Sequence, residues 1–110
     1  MDIYFKTQKL QKQCSKLAIA QRQLGPKMAR KLHQRMMELS AADSLEDISR
    51  VPPPRCHELT GNLGGQLSVD LEHPYRLLFV PANDPIPTKD GGLDWSKVTE
   101  IEIVGIVDTH

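Results

Sequence analysis

An α+β fold, with two N-terminal helices packed on a small, mostly antiparallel β-sheet, is predicted by three patterns in this 110-residue sequence. Leu10, Cys14, Leu17, Ala18 and Leu24 recur at helical spacing between Thr7 and Leu24, and Ala29, Leu32, Met36 and Leu39 do so before Ala41. From Gln66 the period changes to that of strands. Leu67, Val69 and Leu71 alternate with Gln66, Ser68 and Asp70; Tyr75, Leu77 and Phe79 alternate with Arg76, Leu78 and Val80. The third pattern is the run Val98 to Val107. There Ile101, Ile103 and Val107 alternate with Glu100 and Glu102, while Val104 and Ile106 make both faces apolar, as in a central strand. Helices that precede a group of strands form one layer covering the apolar face of the sheet.

Taken in order, Asp2-Ile3-Tyr4-Phe5 alternates and predicts an edge strand. Gly25-Pro26 ends the first helix and starts the second, with Gly just past a C-terminus and Pro in a first turn. Two helices joined so tightly make an αα-hairpin. On the second, Lys27, Arg30, Lys31, Gln34 and Arg35 are expected to face out, with His33 beside the apolar stripe. Ser44-Leu45-Glu46-Asp47 has the form of a capped helix start with acids in its first turn. Pro52-Pro53-Pro54 forbids helix and predicts an extended connector to Arg55. Glu72-His73-Pro74 is the turn of the hairpin. Residues 81–97 are rich in Pro, Asp and Gly and predict a long loop, with Leu93 and Trp95 tucked back on the body.

The length predicts one domain spanning residues 1–110. Two cysteines, Cys14 and Cys56, make no disulfide framework, and no apolar run resembles a signal or a membrane span. A cytoplasmic setting without membrane contact is expected. The net charge of zero conceals an asymmetry: residues 1–40 carry nine Lys/Arg against Asp2 and Glu38, the remainder five against twelve acids. A basic half suits an acidic partner, whether nucleic acid or protein, and equally suits a solvated helix pair.

Several chemistries lack their signatures. Cys56-His57, with His33, His73 and His110 scattered, has no zinc-ligand spacing, and no metal or cofactor is expected. Gly61-Asn62-Leu63-Gly64-Gly65 lacks the lysine and following helix of a P-loop. What remains is a polar set: Arg55, His57, Ser68, Arg76, Asp108 and His110. Metal-free RNA cleavage needs a base for the 2′-hydroxyl, cations for the phosphorane charge and an acid for the leaving 5′-oxygen. Histidine suits the proton steps and arginine the phosphate. Each residue also has a structural use: His57 can cap a strand, and Arg76 can pair with Asp70 or Glu102.

The hairpin carries a resemblance. His57, Leu59, Gly61, Gly65, Ser68 and Val69, followed by Tyr75-Arg76-Leu77-Leu78-Phe79, resemble the RelE/ParE toxin superfamily in its HigB-like "plasmid maintenance killer protein" branch. The likeness extends over most of the chain, since that branch also sets two N-terminal helices on an antiparallel sheet. It implies a ribosome-dependent mRNA endonuclease of a toxin–antitoxin pair, neutralised by a helix-turn-helix antitoxin. Carried over by position, Arg76 matches the strand arginine, and Asp108 and His110 match two of a terminal Asp-Tyr-His; with His57 they form the candidate catalytic set. Arg55, Ser68, Lys27 and Lys31 are the candidate RNA-binding residues. Thr109 stands in place of the family's base-stacking tyrosine, and Thr60 stands where a basic residue is frequent. Two other readings keep the same fold: a non-catalytic binding protein, and a ParE-like gyrase inhibitor, which the His57 motif and His110 disfavour.

Overall fold

The computed structural model describes residues 1–108. Its strands are β1 (Asp2–Phe5), β2 (His57–Glu58), β3 (Leu67–Asp70), β4 (Tyr75–Pro81), β5 (Thr88–Lys89), β6 (Gly92–Leu93) and β7 (Glu100–Asp108). Its α-helices are α1 (Gln8–Ser15), α2 (Leu17–Leu24) and α3 (Pro26–Ala41). The main sheet has the order β1-β7-β4-β3-β2; β1 runs parallel to β7 and the other neighbours are antiparallel. The α+β class and the helical cover are therefore as the sequence predicts.

The expected first helix is two helices. Lys16 adopts an extended conformation (φ −124°, ψ 105°) and breaks the run after Ser15. The break redirects the chain, so Leu17 and Ala18 are exposed while Gln13, Cys14 and Ala20 turn inward. The buried Gln13 amide donates across the break to Gln23 Oε1 at 2.9 Å. Gly25 at φ +86° then turns α2 into α3, with Pro26 at its first position as the sequence predicts.

Ala29, Leu32, Met36 and Leu39 of α3 pack with Leu67, Val69, Leu77, Phe79, Ile101 and Ile103 in one core. Arg35 is buried too, contrary to the outward position expected of it: it is 2% exposed. Its place in the sequence explains this, being three residues after Leu32 and four before Leu39, on the inward stripe itself. Its Nε donates to the Asp70 carbonyl at 2.7 Å and its Nη1 to Glu38 Oε1 at 2.9 Å. The guanidinium thus ties the helix layer to the end of β3.

β7 departs from simple alternation. Phe79 pairs with Ile103 but Leu78 pairs with Gly105, so Val104 is an extra residue in a β-bulge. The bulge resets the faces: after Ile101 and Ile103 the next inward residue is Ile106, opposite Leu77, while Val107 lies opposite Arg76 on the other face. This corrects the expected inward placement of Val107. The triple proline is also not extended: Val51–Pro54 forms a turn closed by the Arg55 amide on the Val51 carbonyl at 3.1 Å. The short helix expected after Ser44 is one 3-10 turn, Leu45–Asp47, with Asp47 Oδ2 accepting from the Asp43 and Ser44 amides.

Residues 81–97 are more regular than their composition predicts. They hold the β5–β6 hairpin and a 3-10 turn at Trp95–Lys97. Asp90 (φ +54°) and Gly91 (φ +81°) form the two-residue hairpin loop, both in the left-handed region that such loops require. Trp95 is tucked in as expected: its indole N–H donates to Glu58 Oε1 at 2.9 Å, and Arg50 lies 3.8 Å over its ring. Among the described residues, no helix is long and apolar enough to cross a membrane.

Arg35 generates the first prediction. Charge-assisted hydrogen bonds contribute more than neutral ones, but Glu38 stays partly wet, so Arg35→Ala should cost on the order of 2–4 kcal/mol. Lys31→Ala, on the same helix but partly solvated, should stay within about 0.5 kcal/mol of the parent. Urea unfolding of both variants checks this; equal stabilities would remove Arg35 from its anchoring role.

Candidate functional site

The site forms on the face of the sheet away from the helices, where cross-strand partners share a side. The register sets Asp70 against Arg76 and Arg76 against Val107; one row further, it sets His57 against Ser68 and Ser68 against Leu78. Arg55 joins them from the loop before β2. Its backbone is at φ +47°, a conformation that costs a non-glycine residue energy and needs support from its surroundings. That support is visible. The Asp70 amide donates to Pro54 O at 2.8 Å, and the Arg55 Nε and Nη2 donate to the two Asp70 carboxylate oxygens at 2.8 and 3.1 Å. The two-point pair raises the Arg55 pKa further, through its hydrogen bond to Asp70.

Asp70 also faces the second cation: Arg76 Nε lies 3.6 Å from its Oδ1. Two guanidinium groups therefore share one carboxylate. Arg76 is bound on its other side to the imidazole, its Nη1 standing 3.5 Å from His57 Nε2. The tautomer of His57 follows from its other contact. Nδ1 is 3.0 Å from the Arg55 carbonyl, which can only accept, so Nδ1 donates there and Nε2 is the ring nitrogen that faces Arg76.

Of the expected site residues, Arg55, His57 and Arg76 come together. Ser68 belongs to the same rows but is fully buried, and its Oγ has no hydrogen-bond partner among the described residues. Its hydroxyl does not face solvent, which corrects its expected place on an open surface. Leu78 on the same face is buried as well, so this face is covered at its centre and accessible toward its margin. Asp108 ends β7 opposite Tyr75, one residue past the partner of Arg76; strand alternation directs it to the helix side of the sheet. His110 lies outside the described residues. Lys27 and Lys31 line a shallow cleft with Arg30, Gln34 and Glu72, beyond the turn that joins β3 to β4. They neighbour the hairpin without reaching the His57 cluster. Among the described residues, no three His, Cys, Asp or Glu side chains converge as metal ligands.

Of the two acids the sequence offered to Arg76, Asp70 is the one that faces it; sequence reasoning missed that Asp70 also holds Arg55 and so centres the cluster, and missed Arg35 as the support of its main chain. The signal for Asp70 was present: it is the one acid in the alternating run Leu67–Leu71, directly across a short turn from Arg76.

By sequence, the chain matches no family model and no curated protein. By structure, it is similar to a chain of the YoeB-YefM complex from Staphylococcus aureus, with a TM-score of 0.53 and 17% identity over 100% of this chain and 97% of that one. The likeness is one of fold, and it spans both chains almost end to end.

Two predictions come from this cluster. Asp70→Asn keeps the shape but removes the charge that both arginines share. For a half-exposed two-point pair the cost should be about 1–2 kcal/mol, between that of surface and buried ion pairs. Hydrogen exchange should quicken at the amides of 51–57; unchanged protection there would show that the loop is held by its backbone alone. The second concerns the thiols. Burial pushes both Cys14 and Cys56 from 9.0 up to about 12. Folded pKa values above the unfolded ones mean stability that is intact below about pH 9 and lost as pH rises toward 12. At neutral pH a thiol reagent should modify neither cysteine until urea unfolds the chain.

Proposed function

We propose that this chain is the toxin of a toxin–antitoxin pair, of the HigB-like kind, and that it cleaves mRNA without a metal. The observation that carries the reading is the Arg55–Asp70–Arg76–His57 cluster, in which His57 Nε2 and Arg76 Nη1 stand 3.5 Å apart at the margin of the sheet. In this reading His57 Nε2 takes the 2′-hydroxyl proton, and the freed oxygen attacks the neighbouring phosphorus. Arg76 and Arg55 receive the charge that grows on the phosphoryl oxygens. The leaving 5′-oxygen is protonated by a second acid, the role we assign to His110. The products are a 2′,3′-cyclic phosphate and a 5′-hydroxyl. The resemblance of residues 57–79 to the RelE/ParE superfamily supports this assignment, as does the fold shared with a chain of the YoeB-YefM complex. The proposed partners are mRNA, on the ribosome, and a helix-turn-helix antitoxin. Lys27 and Lys31 would meet an acidic surface of one of them.

A second reading has its own observation. Asp70 engages both arginines, which is what a purely structural ion-pair cluster would look like on a non-catalytic binding protein. Growth and cleavage separate the two. Inducing the chain alone should arrest bacterial growth, and co-expressing the adjacent gene should restore it. Arg76→Ala and His57→Ala should each cut cleavage about a hundredfold or more, the range for losing a group that stabilises transition-state charge or moves a proton. His57→Ala should leave the melting temperature nearly unchanged. If Arg76→Ala lowers the melting temperature while cleavage per folded molecule holds, the arginine is structural and the binding reading stands.

A further inference from the structure

The two edges of the main sheet are finished differently. β2 offers two residues, too short a template for another strand, whereas β1 offers four, with Ile3, Tyr4 and Phe5 together and no proline. β1 bonds β7 through its even-numbered residues: the Asp2 amide donates to Thr99 O at 3.0 Å and the Lys6 amide to Ile103 O at 2.9 Å. In a parallel ladder successive residues direct their N–H and C=O groups to opposite sides. Ile3 and Phe5 therefore present theirs to the outer edge. A groove of about 820 Å³ runs there, lined by Met1–Phe5 on one side and by residues including Cys14, Met36, Met37 and Ser40 on the other. Consecutive strand residues line it, so it follows the strand edge and not one face of the sheet. Tyr4 is 50% exposed and Met37 60%.

We propose that this edge pairs with the β1 strand of a second copy of the chain, antiparallel about a two-fold axis through Tyr4. That register sets Ile3 opposite Phe5 of the other copy and Asp2 opposite Lys6, each twice by symmetry. Backbone and charge agree in it. Ile3 and Phe5, whose groups point outward, become the pairs that exchange both N–H···O bonds. Asp2–Lys6 and Tyr4–Tyr4 take the positions between them, where side chains lie closest. Asp2 and Tyr4 neighbour Glu100 and Glu102 on β7, so the arriving Lys6 meets an acidic rank. A slip of one residue would turn the outward groups away and reverse the faces. Slips of two, centred on Ile3 or Phe5, leave Asp2 and Lys6 without opposite charges. Met37 and the groove apolar residues then close over the joined edges. The pairing is independent of the nuclease reading.

Analytical ultracentrifugation of the full chain across a wide concentration range tests it. The mass should climb from 12.4 kDa toward twice that value. Phe5→Pro removes an outward N–H without touching a bond to β7 and should hold the chain monomeric with its circular dichroism intact. Asp2→Lys and Lys6→Asp should each weaken the dimer about tenfold, since like charges then oppose twice, and the double exchange should restore it. These surface charge variants decide the matter if Phe5→Pro disturbs folding. A chain that stays monomeric at every concentration overturns the proposal, as does a dimer indifferent to the charge variants. So does a monomer whose β1 edge is instead protected from hydrogen exchange by an extended segment of another protein.

Discussion

Asp70 is where the layers of this molecule meet. Its carbonyl receives the buried guanidinium of Arg35 from α3, its amide bonds the Pro54 carbonyl, and its carboxylate holds Arg55 and faces Arg76. A charged group on a half-buried strand needs partners to offset its lost hydration, and here those partners are the cations of the candidate site. Helix layer, proline loop and sheet are thereby fixed to one residue. The left-handed Arg55 is tolerable in this setting because its amide, its carbonyl and its side chain are all engaged, with Val51, His57 and Asp70 in turn.

The parts of the fold that periodicity encodes were legible. The alternation of Leu67–Leu71 and Tyr75–Phe79 gives the β3–β4 hairpin with its turn in place, and the second helical stripe gives α3. Where the sequence misleads, a single residue type outweighed its position. Arg35 was read outward because it is charged, although it sits on the inward stripe; its long stem lets a cation cross the core margin and end on a carbonyl. The break at Lys16 leaves no mark, since neither Gly nor Pro makes it. The Val104 bulge changes which of two apolar alternations faces in, a choice that a run apolar on both faces cannot express. Asp90-Gly91 did carry a hairpin signal, hidden because its flanks Thr88-Lys89 and Gly92-Leu93 are polar or small. Arg55, His57 and Arg76 could be named by chemistry but not assembled, because their meeting depends on strand register and on one positive φ.

The charge asymmetry of the sequence resolves into separate uses. Of the basic residues on α3, Arg35 is consumed inside the fold, while Lys27, Arg30 and Lys31 gather at the cleft beside Glu72. The arginines of the cluster, Arg55 and Arg76, come from the acidic remainder of the chain and are matched there to Asp70. Three bases of the basic half therefore mark a surface next to the hairpin, and the candidate chemistry sits on the other side of the same hairpin. A long polyanion could touch both only by passing the β3–β4 turn.

The centre of the site face restricts how such a polyanion reaches His57. Ser68 and Leu78, which would floor an open sheet, are buried, so approach is limited to the margin formed by Arg55, His57 and Arg76. There Nε2 already faces Arg76 Nη1. A base so occupied cannot also take a substrate proton. Under the nuclease reading, Arg76 must swing its Nη1 from the imidazole to a phosphoryl oxygen as the 2′-hydroxyl arrives, while the Asp70 carboxylate stays 3.6 Å from its Nε. The arrangement suits that exchange: the guanidinium is planar, faces a carboxylate at one side and binds an anionic oxygen more strongly than a ring nitrogen. The same contact that blocks the base without RNA would thus be released by the phosphate that the base is to act beside.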